Sequence, residues 1–308
     1  LGGAAEFEGT LVSVLQNRPA DCEVVVLHAE PYDDPYALRG EVQFIHAAAD
    51  TLVGLLNKAL ERTAGEILHI IGCGVEMTEA SIASAVPHFD DPEVAAVSPV
   101  IQSADGANIV AAGVRWSLGG ARRVVADRRL LLPGTARLRA AIAGPTLAAA
   151  FYRRDVVAAL DGFDASVGDG LADVEMALAI QQLGRLHVCE PASRFLLAGH
   201  SLATNDAGGF ARGRACERLF WRYAHHRGLV ASLLCHPLAA LWTTVTESAQ
   251  ISSISALAGR ASATIEFGNS GRNERRLAVA AERLTELSRL RANVRAKGQR
   301  TQDLRRAA

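Results

Sequence analysis

Between residues 7 and 189 the chain switches repeatedly between two hydrophobic periods, and that alternation constrains its fold more than any other feature. Residues 7–16 place Phe7, Leu11, Val14 and Leu15 on one stripe, as a helix does. Residues 23–27 are a short unbroken run with three valines, as in a buried strand. The strand pattern returns at 42–45, 66–71, 94–97, 146–152 and 186–189, and the helix pattern at 51–61, 79–89, 154–160 and 173–183. Gly184 supplies a helix C-cap. Strands separated by helices predict an α/β sheet with parallel pairs. Residues 107–132 break the rhythm, with Gly113, Gly119, Gly120 and several arginines, and predict a hairpin or loop beside the sheet.

Bulk properties exclude several classes. The 308 residues are 49% hydrophobic and 21% charged, which fits a globular protein rather than a disordered one. A net charge of -1 gives no global pull toward nucleic acid, and no nucleic-acid partner is expected. Cys22, Cys73, Cys189, Cys216 and Cys235 form no C-x-x-C pair, so neither a zinc site nor a disulfide framework is signalled. A reducing, cytoplasmic setting is the simplest expectation. No secretory signal is visible, and Leu1 in place of Met suggests a start inside a longer protein.

The character changes near residue 209. Residues 212–227 are basic and aromatic, and 228–245 are mostly apolar but broken by His236-Pro237. That apolar run is short for a span. It reads either as an interfacial helix on the inner face of a membrane or as core helices under the sheet. From Asn273 a long helical pattern follows with an arginine-rich polar face, a solvated helix or a partner-binding tail. Two domains are expected, 1–209 and a helical extension over 210–308.

Several segments in order over roughly residues 1–225, among them "NKALERTAGEILHIIGCGVEMT", "SPVIQSADGANIVAAGVRWSLGG" and "GPTLAAAFYRRDVVAALDGFDASVGDGLADVEMALAIQQLGRLHVCEP", together resemble the nucleotide-sugar-dependent glycosyltransferases of family 2. The likeness is greatest to the bacterial branch that builds rhamnose-containing and other surface polysaccharides. "NKALERTAGEILHIIGCGVEMT" resembles the family's Asn-led helix, Gly-Glu turn, apolar strand and metal motif. "SPVIQSADGANIVAAGVRWSLGG" resembles its proline-containing strand with Asp-Gly and Ala-Gly. "GPTLAAAFYRRDVVAALDGFDASVGDGLADVEMALAIQQLGRLHVCEP" resembles its Gly-led strand, Arg-Arg, Gly-Phe-Asp and the acidic start of a helix. The resemblance implies a GT-A fold: a mixed, mainly parallel sheet flanked by helices, here with a helical C-terminal extension. The family's first strand is missing, which implies truncation upstream.

The resemblance also assigns roles. Asp173 falls at the position of the catalytic base. The donor side would be formed by His28, Glu30, Asn57, Gly72, Cys73, Gly74 and Glu76, and the acceptor or sugar side by Trp116, Gly144 and Glu175. The departures are specific. Gly72 and Gly74 stand in the metal-binding motif, Ala172 replaces a Glu, Glu175 an Asp, Ala179 an Arg and His28 an Asp. The family's usual Mg or Mn prefers hard oxygen ligands, which two glycines and a thiol do not provide, so no metal is expected at this motif.

The same residues have plainer readings. Asp173 and Glu175 suit the first turn of a helix by charge alone. Asn57 suits an exposed helix face, Glu76 a helix cap, His28 a strand edge and Cys73 a small buried position. Gly72 and Gly74 form either a tight turn or a phosphate-facing pair of amides, helped by Arg122, Arg123, Arg128 or Arg129. Trp116 either stacks on a sugar or packs on the core. The expected activity is sugar transfer from a nucleotide-sugar donor to a cell-envelope glycan or lipid-linked acceptor, without the usual metal. The rivals are an inactive sugar- or nucleotide-binding module and a scaffold that recruits a partner through its last helices.

Overall fold

The computed structural model describes residues 3–29, 32, 34–46, 51–117, 119–199, 209–223, 235–242, 250–264 and 270–307. In chain order they form α1 (Ala4–Asn17), β1 (Val24–His28), β2 (Val42–His46), α2 (Leu52–Arg62), β3 (Ile67–Ile71), β4 (Val75–Met77) and α3 (Ala80–Ala85). Then come β5 (Val94–Ser103), β6 (Ile109–Ala111), β7 (Val114–Trp116), β8 (Arg122–Val124), α4 (Ala136–Ala140), β9 (Ala149–Arg153) and α5 (Arg154–Ala159). The chain ends with α6 (Ala172–Gln182), β10 (Leu186–Leu197), α7 (Gly209–Tyr223), α8 (residues 235–242), α9 (Gln250–Thr264) and α10 (Ser270–Ala307).

The fold is the expected α/β one, a mixed sheet flanked by helices with a helical C-terminal part. The main sheet runs β3-β9-β5-β10-β4, with β6 on β5. β5 and β10 are parallel, while β9 runs against both β3 and β5. Inserting β9 makes the centre more antiparallel than helix–strand alternation implies. β1 and β2 form a separate parallel pair, and neither joins the main sheet among the described residues. β7 and β8 form a hairpin of their own, with Trp116 opposite Arg122.

β5 is buried along nearly its whole length and continues past the apolar 94–97 run, through Ser98 and Pro99, to Ser103. One face of the sheet packs Val97, Ile101, Phe151 and Phe195 together. The other packs Tyr152 against Leu160, Met176 and Ile180, and α10 adds Ala280 and Leu284 to this cluster. The last helix is therefore built into the core of the α/β body over its first half. β10 runs past the expected stop at Pro191, through a register shift between Cys189 and Arg194 where its ladder to β5 is interrupted. α3 gives way at Val86 to a 3-10 turn that holds Pro87 in its first positions.

Two long-range contacts tie α2 to the loop before α6. Both oxygens of Asp169 accept the free N–H groups of Leu52 and Val53, at 3.0 Å each, and so cap α2 from a distance. In the C-terminal part, α7 and α9 cross with their backbones touching. A Cβ on Gly213 would sit 1.9 Å from the Ala256 carbonyl oxygen, and one on Gly259 would sit 2.0 Å from that of Phe210. Where they cross, Glu217 is buried with Arg260 at 3.1 Å, His236 of α8 at 3.0 Å and the Trp221 indole N–H at 2.8 Å. Burial pushes the Glu217 carboxyl up, but His236 and Arg260 outweigh it and leave it below its usual range. α8 turns Leu238, Leu241 and Trp242 outward. No helix among the described residues is long and apolar enough to cross a membrane.

Candidate functional site

The end of β3 and the start of α6 meet across residues 144–148, the segment that leads into β9. Gly72 donates its N–H to the Ala148 carbonyl at 2.8 Å. The neighbouring Leu147 amide hydrogen-bonds Asp173 in the first turn of α6. Gly144 approaches α6 so closely that a Cβ there would lie 2.5 Å from the Ala177 Cβ, and its carbonyl accepts the Val114 N–H. The sequence thus folds three separate motifs onto one strand end.

Asp173 is only 3% exposed. Arg122 grips it, with Nε 3.0 and 2.9 Å from the two carboxylate oxygens and Nη2 2.8 Å from Oδ2. The Val174 N–H donates to Oδ1 at 2.8 Å. Burial raises the Asp173 carboxyl above its ordinary value, against the opposing pull of Arg122 and the backbone amides. The Tyr152 phenol is fully buried close enough to feel this charge, and its hydroxyl finds no hydrogen-bond partner among the described residues.

The glycine turn does not offer amides to a phosphate. The Gly72 N–H is taken by Ala148, and the Gly74 N–H donates to Thr10 Oγ1 at 2.9 Å. Gly74 has φ +81°, and its carbonyl accepts from Ala198 and Gly199. Both glycine amides are therefore satisfied within the protein, as in a tight turn. Three of the four arginines expected to help are also engaged: Arg128 on the Ala107 carbonyl, Arg129 on Asp127, and Arg122 on Asp173. Arg129 holds the exposed Asp127 carboxyl down to about 2. Cys73 is exposed rather than buried, because the turn projects from the sheet edge.

Other expected contacts belong to the framework. Asn57 donates to the Phe163 carbonyl at 2.9 Å and accepts the Phe163 N–H at 2.8 Å, which removes it from the donor side and makes it a clamp. Trp116 is 7% exposed and packs near Phe220 and Tyr223, so its face is not open to a sugar. Glu175 has no exposure; it accepts from the Tyr223 hydroxyl at 3.0 Å and from Arg276 at 2.6 Å. It is therefore a packing carboxylate and not an acceptor contact. Gly144 serves the close approach to α6 described above. Glu76 faces α1, with Oε1 3.0 Å from where a Gly9 Cβ would stand. His28 ends β1 opposite His46, with ring centroids 5.1 Å apart. Glu30 lies outside the described residues, as do residues 224–234 and 243–245 of the expected membrane-surface run over 212–245.

A divalent cation does not fit these side chains. Among the described residues no group of three or more His, Cys, Asp or Glu converges on a metal position. The turn itself presents glycines and a thiol, a poor donor set for a hard ion. The partnership missed in the sequence is Arg122 with Asp173, which are 51 residues apart and carry no shared spacing signal.

No protein-family profile and no curated protein sequence matches the chain. Solved structures do. A mannosyltransferase, PcManGT from Pyrobaculum calidifontis, in complex with GDP-Man and Mn2+, superposes with TM-score 0.52 at 19% identity, over 92% of this chain and 84% of its own. GalNAc-T7 with UDP, GalNAc and Mn2+ superposes with TM-score 0.55 at 17% identity, over 71% of this chain. The matched region is 45% of the GalNAc-T7 chain, so the present chain spans less than half of that protein. At such identities the likeness defines architecture alone, and the architecture is that of the GT-A glycosyltransferases.

Proposed function

We propose that the chain is a family 2-like glycosyltransferase unit, transferring a sugar from a nucleotide-sugar donor to a cell-envelope glycan or lipid-linked acceptor. The observation that carries this is Asp173, a buried carboxyl with raised proton affinity at the strand end where α/β sheets bind ligands. In the reaction, an acceptor hydroxyl loses its proton to Asp173 as its oxygen attacks the anomeric carbon. The bond from that carbon to the diphosphate breaks, and the electron pair leaves with the phosphate. Arg122, once off Asp173, is the cation adjacent to the departing negative charge. No step is routed through a metal, since the donor set does not suit one.

Residues 1–209 would form the transferase unit and 210–308 an extension. Exposed Leu238, Leu241 and Trp242 support a peripheral contact with the cytoplasmic face of a membrane.

A second reading is favoured by the near-complete engagement of the site groups. An inactive nucleotide- or sugar-binding module, or a scaffold, would keep the fold with Asp173 permanently paired. The test is incubation of the protein with UDP-, GDP- and dTDP-sugars, following nucleoside diphosphate release and thermal shift. Turnover that persists in chelator and disappears in Asp173→Asn supports transfer. A thermal shift without turnover identifies a binding module, and no shift with any donor identifies a scaffold.

A further inference from the structure

The Arg122–Asp173 pair is held from outside the strand-end site, and by one set of helices. Arg122 sits on β8 directly across the hairpin from Trp116. Trp116 packs on α7, 6.1 Å from Phe220 and 6.5 Å from Tyr223 between ring centroids. The hairpin turn is seated as tightly. Gly120 has φ +77°, and a Cβ there would lie 2.7 Å from the Cys216 carbonyl oxygen of α7.

Asp173 is fixed by the same helices. Two residues along α6, Glu175 accepts from Tyr223 of α7 and from Arg276 of α10. Ahead of α6, Asp164 pairs with Arg222 of α7 at 2.6 Å and with Arg276 at 3.7 Å. α7 thus touches both the element that carries the arginine and the element that carries the carboxylate.

We propose that the C-terminal helices lock the strand-end site. By seating the β7–β8 hairpin on α7 they hold the Arg122 guanidinium over the Asp173 carboxylate, and lifting the hairpin uncovers that carboxylate. This builds on the glycosyl-transfer reading, in which Asp173 must meet a substrate hydroxyl. The lock itself is a property of the fold and is measurable without turnover.

The experiment is amidation of accessible carboxyl groups in the full chain with a water-soluble carbodiimide and glycinamide, read by peptide mass spectrometry. Asp105, on an exposed turn, is the reactive reference, and Glu175, fully buried on the same helix, reports unfolding of α6. In the wild-type chain Asp105 reacts while Asp173 and Glu175 do not. Arg122→Gln removes the cover, and Gly120→Ala or Trp116→Ala loosens the hairpin from α7. Each is expected to raise Asp173 labelling roughly tenfold or more while Glu175 stays protected.

Asp173 labelling equal to Asp105 in the wild type overturns the lock, as does an unreactive Asp173 in Arg122→Gln. Exposure by Arg122→Gln but not by the two hairpin variants overturns control by the extension. Joint labelling of Asp173 and Glu175 in all three variants means that α6 unravels, and also overturns it. The expected pattern without turnover of any nucleotide sugar leaves the lock standing and removes the transfer reading.

Discussion

Arg276, on the last helix, places its Nη1 2.6 Å from Oε1 of Glu175, a carboxylate with no solvent exposure at the start of α6. The same guanidinium donates to the Leu160 carbonyl at 2.8 Å and to the Gly162 carbonyl at 3.0 Å. One side chain therefore pairs with one oxygen of a buried carboxylate and serves two backbone acceptors across the junction between the α/β body and the C-terminal helices. Arg276→Met leaves Glu175 buried and without its cation, which costs about 3–5 kcal/mol. Urea unfolding should show this as a lower midpoint. The double variant Arg276→Met/Glu175→Met should recover only part of the loss, since it removes the unpaired charge but leaves the Leu160 and Gly162 carbonyls and the Tyr223 hydroxyl without these partners.

The neighbouring Asp164 predicts an acid dependence. Burial pushes its carboxyl up, but the Ser166 hydrogen bonds and the charges of Arg222 and Arg276 outweigh this and leave it below 3.8. A carboxylate depressed in the folded state adds stability that is fully present above the unfolded value and is lost as pH falls through the folded one. Melting of wild type and Asp164→Asn, compared from pH 7 to pH 2, should show a gap in Tm that is constant above about pH 5 and closes below 3.8. A gap that does not depend on pH would remove the electrostatic account.

Asn57 separates a framework role from a ligand-binding one. Its side chain closes two hydrogen bonds on Phe163, and Asn57→Ala leaves that buried N–H and C=O without partners, at a cost of about 1–3 kcal/mol. Any thermal shift caused by a nucleotide sugar should keep its dependence on ligand concentration in this variant. A weakened ligand response with unchanged stability would return Asn57 to the donor side.

Gly144 tests the close approach of the 144–148 segment to α6. Gly144→Ala forces its new methyl group to within 2.5 Å of the Ala177 Cβ, and the overpacking should cost about 1–3 kcal/mol. Ala177→Gly removes the clashing carbon, so the double variant should recover part of this loss despite the added helix glycine. Absence of coupling between the two changes in a double-mutant cycle would contradict the contact.

The elements that were readable in the sequence are those whose patterns are local. α2 shows its stripe in Leu52, Leu55 and Leu56, and β5 shows its start in the apolar run 94–97, whereas Ser98 and Pro99 hide its continuation to Ser103. β10 was cut short because Glu190 and Pro191 imitate a strand end, whereas the structure carries them through a register shift. The candidate site was legible only in part. Asp173 stood out through its motif, and its place in the first turn of α6 is as expected. What Asp173 binds was hidden, because Arg122 reaches it through a hairpin pairing and the packing of Trp116 on α7, both set by tertiary contacts. For Trp116 and Glu175 the sequence leaves two readings open for the same reason. Their partners, Phe220, Tyr223 and Arg276, come from helices whose docking no local period reveals.

The crossing of α7 and α9 bears on how the chain tolerates shortening from its C-terminal end. Where backbone rests on backbone at Gly213 and Gly259, neither helix has side chains to refill the surface that its partner leaves. Trimming α10 back as far as the exposed Leu290 should lower stability by small steps. Cutting into the first half of α10 should produce a cliff, since it removes Leu284, Ala280 and Arg276 from the core, and a cut that goes on into α9 also strips cover from α7 and from Glu217, and with them the seat of the hairpin.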